Sequence, residues 1–278
     1  MEIIQMRKVQ VLVATMNQND FTLAERMNIV DNAIIANQAA NDSVFYDNKS
    51  SILFITSNTR GVGTNRNIAL DHANADIVMF ADDDLVLDHQ YVSTVMDEFE
   101  KTKADVIVFN FRYHLPDGTE RDRISERKRL NLMNAMRFGT CALAIDLRQC
   151  RINNLHFSTL FGGGSLYGCG EDSLFLLDCL RSGLKVYAST ASVGDNYNYG
   201  SSWFTGYNDK YFYDKGAWIA CAFPHMRSIM KIYYIVRFSR ISDCSIKQRF
   251  LMLTAGIKNY KNSIGYQEYI TNSRSQWT

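Results

Sequence analysis

The stretch VMFADDDLVLD, residues 78–88, runs from apolar and small residues into three consecutive carboxylates, Asp82, Asp83 and Asp84, and then turns apolar again. Adjacent carboxylates repel, so three at the end of a buried-looking strand cost free energy unless a cation, or a ligand carrying one, sits among them. In an extended or tightly turning segment residues i and i+2 face the same way, so Asp82 and Asp84 can converge on one ion while Asp83 points elsewhere. Mg²⁺ or Mn²⁺ suits such a pair, because these ions take few carboxylates and keep positions open for phosphate oxygens. The competing reading is a helix N-terminus, whose dipole favours acids.

The surroundings of this stretch alternate. KVQVLVAT (8–15), SILFITS (51–57), DIVMFA (76–81) and ADVIVFNFRY (104–113) have the composition of short buried strands. Between them, FTLAERMNIVDNA (21–33) places Phe21, Leu23, Ala24, Met27 and Val30 at helical spacing, and TNRNIALDHANA (64–75) and YVSTVMDEFEKT (91–102) read as further helices. Strands alternating with helices predict an α/β domain with a mixed, mostly parallel sheet covered on both faces. Ligands of such sheets bind outside the carboxyl ends of the strands. The aspartate triplet lies at one of those ends.

Beyond residue 115 the pattern changes. PDGTERDRISERKR (116–129) reads as a solvated loop or hairpin turning at Pro116, Asp117 and Gly118. RFGTCALAIDL (137–147) reads as a strand, and residues 161–190 as a glycine-rich loop, a helix ending near Gly183 and another strand. The expected organisation is one domain over residues 1–222, its halves dividing near 115 and 116, followed by a helical extension over 223–278.

Bulk properties exclude several classes. The 278 residues are 46% hydrophobic and 21% charged, a globular balance, and Lys+Arg 30 against Asp+Glu 29 leaves a net charge of +1 with no overall pull towards nucleic acid. The first residues, MEIIQMRKVQ, lack the layout of a secretory signal, and no window approaches the roughly 18 apolar residues of a membrane span. The six cysteines form no Cys-x-x-Cys pair and no zinc spacing, which predicts reduced thiols and a cytoplasmic protein.

Two other stretches could carry chemistry. GCGEDSLF (168–175) puts Glu171 and Asp172 at a helix start after glycines that let a ligand approach the backbone. Acids in a first helical turn are also commonplace, so a dipole role and a proton-accepting role are both open. TRGVGTNRNIAL (59–70) lacks the Lys-Ser/Thr ending of a P-loop, and its Arg66 could bind a ligand, cap a helix or form an ion pair.

In this order and spacing, VLVAT, GVGTNRNIAL, VMFADDD and GEDSLF resemble the motifs of family-2 glycosyltransferases over roughly residues 8–220. The closest likeness is to the members that build bacterial surface polysaccharides. The resemblance implies a Rossmann-like glycosyltransferase A fold and inverting, metal-dependent transfer of a hexosyl-type sugar from a nucleotide-sugar, with UDP as the first expectation. Asp82 and Asp84, as an Asp-x-Asp motif, would bind Mn²⁺ or Mg²⁺, with Asp195 as a candidate third ligand. Ala14, Thr15, Asn58, Arg66, Asp82 and Asp83 would border the nucleotide. Asp172 would be the base, supported by Glu171, and Glu171, Gly170 and Trp203 would meet a glycan or lipid-linked acceptor. Residues 1–115 would then form the nucleotide-sugar half and 116–222 the acceptor half. A nucleotidyltransferase and a catalytically silent carbohydrate-binding or scaffold protein are the alternatives.

From His225 to Arg240 the chain mixes Ile229, Ile232, Tyr233 and Val236 with Arg227, Lys231, Arg237 and Arg240. Such a helix either packs its apolar side on the protein or meets the inner membrane from the cytoplasmic side.

Overall fold

The computed structural model describes residues 7–197 and 204–275. The first elements in chain order are β1 (Val9–Met16), α1 (Thr22–Arg26), β2 (Ala33–Gln38), β3 (Ser43–Asp47), β4 (Ile52–Ser57), α2 (Val62–His72), β5 (Ile77–Asp82), β6 (Leu85–Leu87) and α3 (Tyr91–Thr102). After them come β7 (Val106–His114), β8 (Glu120–Asp122), β9 (Lys128–Arg129), β10 (Leu143–Asp146), α4 (Leu147–Ile152), α5 (Glu171–Arg181) and β11 (Val186–Asn196). The last are α6 (Asp209–Ala222), α7 (Arg227–Arg237), α8 (Ile246–Asn259) and α9 (Tyr266–Ser275). The chain gathers into two compact units, Met1–Phe157 with Asp172–Tyr199, and Ser158–Glu171 with Gly200–Thr278. The division expected after residue 222 falls inside the second unit.

The first unit is built on one mixed sheet, in the order β3-β4-β2-β1-β5-β10-β7-β11-β6, with β8 beside β7 and β9 beside β11. Strands β4, β2, β1 and β5 run parallel, β10 is antiparallel to β5 and to β7, and β7 and β11 are parallel again. Period-two alternation makes two cores. Val9, Val11 and Val13 of β1 and Ile77, Met79 and Ala81 of β5 face one side, under Leu23 of α1 and Tyr91, Val95 and Phe99 of α3. Leu12, Val78 and Phe80 face the other, under Ala69 and Leu70 of α2, Leu147 and Cys150 of α4 and Phe175, Leu176 and Cys179 of α5.

The strands at 8–15, 51–57, 76–81 and 104–113 and the helices at 64–75 and 91–102 form close to where their spacing places them. Elsewhere the structure departs from the sequence pattern. The helix expected over 21–33 stops at Arg26, because Asn28 and Asn32 take left-handed backbone conformations, φ 55° and 50°, that break the ladder. The following residues become β2, buried between β1 and β4, and β3, an edge strand; the sequence reading contains neither. The strand expected over 137–147 shortens to β10, preceded by a 3-10 turn at Ala135–Arg137 and by Ala142 at φ 61°. The charged stretch after 115 folds back as a hairpin, β8 against β7, as one of its two readings has it.

The second unit is helical. α6 buries Phe212, Tyr213, Ala217, Trp218 and Ile219, and its backbone comes against that of α8. A Cβ on Gly256 would lie 2.0 Å from the Tyr213 carbonyl oxygen, and one on Gly216 would lie 2.3 Å from that of Leu253. α8 starts with a reciprocal capping box between Ser245 and Gln248. α7 buries Met230 and Tyr234, while Ile229, Ile232, Tyr233 and Val236 are exposed. The apolar stripe seen in the sequence therefore faces outwards. No helix among the described residues is long and apolar enough to cross a membrane.

The glycine contact has a measurable consequence. Gly256→Ala drives a methyl group into backbone, and overpacking of this kind costs about 1–3 kcal/mol. A lower urea midpoint, with loss of α-helical circular dichroism at lower temperature, is the expected outcome. Unchanged stability would show that the two helices can part without cost.

Candidate active site

The site follows from the parity of β5. Phe80 faces the side covered by α2 and α5, so Asp82, two residues on, is delivered to the same side at the carboxyl end of the strand. There Arg66 of α2 donates from Nη2 to Asp82 Oδ1 at 2.9 Å and from Nη1 to Asp172 Oδ1 of α5 at 2.8 Å. The guanidinium is only 5% exposed, and its carbon lies 5.3 Å from the centroid of the Phe157 ring. Phe157 is itself stacked on Phe175 and edge-on to Phe80. A buried guanidinium needs charged partners to offset its desolvation, and its planar fork can reach two carboxylates at once. The ion pair, one of the readings open for Arg66, is formed.

The aspartate triplet is not at a helix N-terminus. Asp82 ends β5, and Asp83 and Asp84 form the tight turn into β6. Asp83 is exposed and accepts from Thr15 Oγ1 at 2.6 Å, while Ala14 stands opposite Asp82 in the β1–β5 register. Ligand atoms of Asp82, Asp84 and Cys141 all lie within 4.8 Å of one another. Burial, reinforced by the nearby Asp82 carboxylate, pushes the Cys141 thiol well above its ordinary range. Oxygen donors at i and i+2 with room for further ligands fit a hard divalent cation.

Asp172 has two different oxygens. Oδ1 accepts from both Arg66 and Thr140, the latter hydroxyl at 2.5 Å. Oδ2 lies beside Gly139, where a Cβ would stand 2.9 Å from it, and the side chain is 33% exposed. Oδ1 is held by two donors, and Oδ2 lies where only a glycine leaves it room.

Buried amides brace the ends of the neighbouring strands. Asn65 donates to the Thr15 and Ala36 carbonyls, at 2.9 and 2.8 Å. Asn37 donates to the Gln18 carbonyl and accepts from the Gln18 N–H, both at 2.9 Å, which fixes the loop that leaves β1.

The other expected residues are placed separately. Asn58 is exposed just beyond β4, its backbone N–H donating to Asp42. Asp195, expected as a third metal ligand, is not in the cluster with Asp82 and Asp84. Its carboxylate lies 2.8 Å from His114 Nε2 and 3.5 Å from Arg112 Nε, so it is already engaged within the sheet. Glu171 is a buried residue at the start of α5 and falls with the second unit, whereas Asp172 falls with the first. Gly170, in the second unit, has φ +116° and packs against Trp218, whose indole a Cβ would strike at 2.3 Å. Trp203 lies outside the described residues. Thr140, Phe157 and Asn37 carry the site although the sequence reading did not select them. The only sequence signal for this network was the polar pair Asn65-Arg66 on a helix that otherwise turns small and apolar residues inwards.

Residues 29–156 match the family model described as Glycosyl transferase family 2. Over that span, a little under half of its length, the chain is similar to family-2 glycosyltransferases. The matched span includes Arg66 and the aspartate triplet, and Asp172 lies beyond it. The glycosyltransferase A fold is evident in similarity to S. aureus TarS. With TarS 1-349 the identity is 14% and the TM-score 0.56, over 92% of this chain and 72% of that one. With TarS 1-349 in complex with UDP-GlcNAc the identity is 14% and the TM-score 0.57, over 93% and 74%. With a longer TarS chain the identity is 16% and the TM-score 0.56, over 94% of this chain but 44% of that one. No curated protein matches this chain in sequence.

The Arg66 bridge makes a testable ledger. Arg66→Met leaves Asp82 and Asp172 without their shared cation and is expected to cost about 1–3 kcal/mol in urea unfolding, discounted because both carboxylates are partly exposed. Arg66→Met combined with Asp172→Asn should lose less than the sum of the single changes, since the second removes a charge left unpaired by the first. Strict additivity would mean that the two side chains are not coupled.

Proposed function

We propose that this glycosyltransferase is an inverting enzyme that moves a hexosyl-type sugar from a UDP-sugar to a hydroxyl of a glycan or lipid-linked acceptor in surface-polysaccharide synthesis. The observation that carries the reading is the single guanidinium, Arg66, joining the strand-end Asp82 to the helix-start Asp172. It brings a cation-compatible carboxylate pair and a partly exposed carboxylate to one edge of the sheet. The choice of UDP is supported by the likeness to S. aureus TarS, described in complex with UDP-GlcNAc and with UDP.

The residues divide the work as follows. Asp82 and Asp84 would hold Mn²⁺ or Mg²⁺, which when bound offsets negative charge on the diphosphate of the donor. Thr15 orients Asp83 at the nucleotide side, and Asn58 and Ala14 border the same strand ends. The acceptor hydroxyl loses its proton to Asp172 Oδ2 as its oxygen attacks the anomeric carbon. The bond from that carbon to the diphosphate oxygen breaks, UDP leaves with the electron pair, and a single displacement inverts the centre. Arg66 and Thr140, both donating to Oδ1, keep the carboxylate aimed. Glu171, Gly170 and Trp203 are assigned to the acceptor by the motif resemblance. Work on a lipid-linked acceptor places the enzyme on the cytoplasmic face of the inner membrane as a peripheral protein.

The test pairs a binding measurement with a transfer measurement. UDP-GlcNAc with Mn²⁺ should raise the melting temperature, since a ligand that binds only the native state stabilises it by mass action. Asp84→Asn should abolish the Mn²⁺-dependent part of that rise. Asp172→Asn should keep the rise but lose transfer by about 10²–10⁴-fold, the usual worth of a general base. Thr140→Val should lower kcat with little change in the donor KM, and Thr140→Ser should restore it. Transfer undiminished by Asp172→Asn removes the base assignment, and release of pyrophosphate instead of UDP would make the enzyme a nucleotidyltransferase.

A further inference from the structure

We propose that α7 of the second unit lies in the plane of an anionic lipid bilayer, with Ile229, Ile232, Tyr233 and Val236 inserted among the headgroups. The proposal deepens the peripheral location put forward above by naming the surface, and it rests on features of this helix alone.

The four side chains follow one another at i, i+3, i+4 and i+7, which places them on a single stripe of an α-helix. A soluble helix turns such a stripe inwards, yet here all four are exposed: Ile229 62%, Ile232 61%, Tyr233 49% and Val236 65%. The burying is done by a different side. Met230 and Tyr234 face the second unit, with the Tyr234 ring 6.0 Å from that of Trp218 and 5.8 Å from that of Phe238. Lys231 bonds Thr254 and lies over the Phe250 ring of α8, and Arg249 of α8 donates to the Ile235 carbonyl. The helix is thus anchored on two sides and leaves its apolar stripe outward.

Charge selects the occupant. From His225 to Arg240 there is no acidic side chain, and of the four cations Arg227, Lys231, Arg237 and Arg240, Lys231 is turned towards α8 and Arg237 and Arg240 are the exposed ones. Both lie beyond the end of the stripe. An apolar stripe with cations at its border and a tyrosine within it complements an anionic headgroup layer. The 11 residues of α7 span only about 16 Å at 1.5 Å per residue, too short to cross a bilayer and suited to lying along it. Lysine and arginine stems can lie against the acyl boundary while their charged heads stay in water.

Vesicle co-sedimentation of the full chain tests this without nucleotide or acceptor, so the result is independent of whether the enzyme transfers sugar. Vesicles of equal parts phosphatidylglycerol and phosphatidylcholine should pellet the protein, and phosphatidylcholine alone should not. Raising the salt should weaken the binding. Arg237→Gln with Arg240→Gln should lower affinity about fivefold per charge, the equivalent of about 1 kcal/mol each. Ile229→Ser, Ile232→Ser and Val236→Ser together should abolish pelleting while changing the melting temperature little, because these side chains are mostly exposed. Equal pelleting of wild type and the triple serine variant overturns the proposal. So does a wild-type chain that pellets with neither vesicle and forms a dimer in light scattering that the triple variant abolishes, since the stripe would then belong to a second copy.

Discussion

A single guanidinium joins the two acidic segments of the first unit. Arg66 is almost wholly withdrawn from water, and a positive charge so placed must be matched by carboxylates or the fold would pay its full desolvation. Its partners are Asp82, at the end of β5, and Asp172, in the first turn of α5. These residues are far apart in the chain, and the electrostatic need of one buried cation joins them. The ring of Phe157 beneath the guanidinium, itself packed on Phe80 and Phe175, makes the same contact part of the hydrophobic core. Core packing and the ion pairs therefore share one set of atoms.

That arrangement depends on the sheet being in the right register. β1 and β5 are parallel neighbours, and Ala14 stands opposite Asp82, so the ends of the two strands stop together. Thr15 can then reach Asp83, and Asn65 can satisfy the carbonyls of Thr15 and Ala36. A shift of one residue in β5 would move Asp82 to the side covered by α1 and α3, away from Arg66 and Asp172, because strand side chains alternate between faces. The carboxylate repulsion within the triplet is met partly by Arg66 and partly by the Thr15 hydroxyl, and a divalent cation between Asp82 and Asp84 would meet the rest.

Much of this was legible before any coordinates. The apolar runs at 8–15, 51–57, 76–81 and 104–113 are strongly patterned and became strands, since runs buried on both faces need apolar residues throughout. The triplet and the Glu171-Asp172 pair were legible because clustered acids are costly and therefore informative. β2 and β3 were not legible: AIIANQ is small and partly polar, and its strand identity comes from being clasped between β1 and β4. The short α1 was missed for a related reason, as left-handed Asn28 and Asn32 override a helical spacing that continues past them. Thr140 gave no signal, because an isolated threonine in FGTCA becomes meaningful only when Asp172 arrives beside it.

The amino-acid sequence by itself determined the α/β alternation, the strand-end position of the aspartates, the helix-start position of Asp172 and the amphipathic pattern of α7, all of which follow from local periodicity and local charge cost. Tertiary structure alone decided which charges meet. It committed Arg66 to two carboxylates, engaged Asp195 with His114 and Arg112 and left it outside the Asp82–Asp84 pair, and turned the apolar stripe of α7 outwards. Periodicity states that a helix has an apolar side, but which side is buried depends on the neighbours that pack against it, and those come from distant parts of the chain.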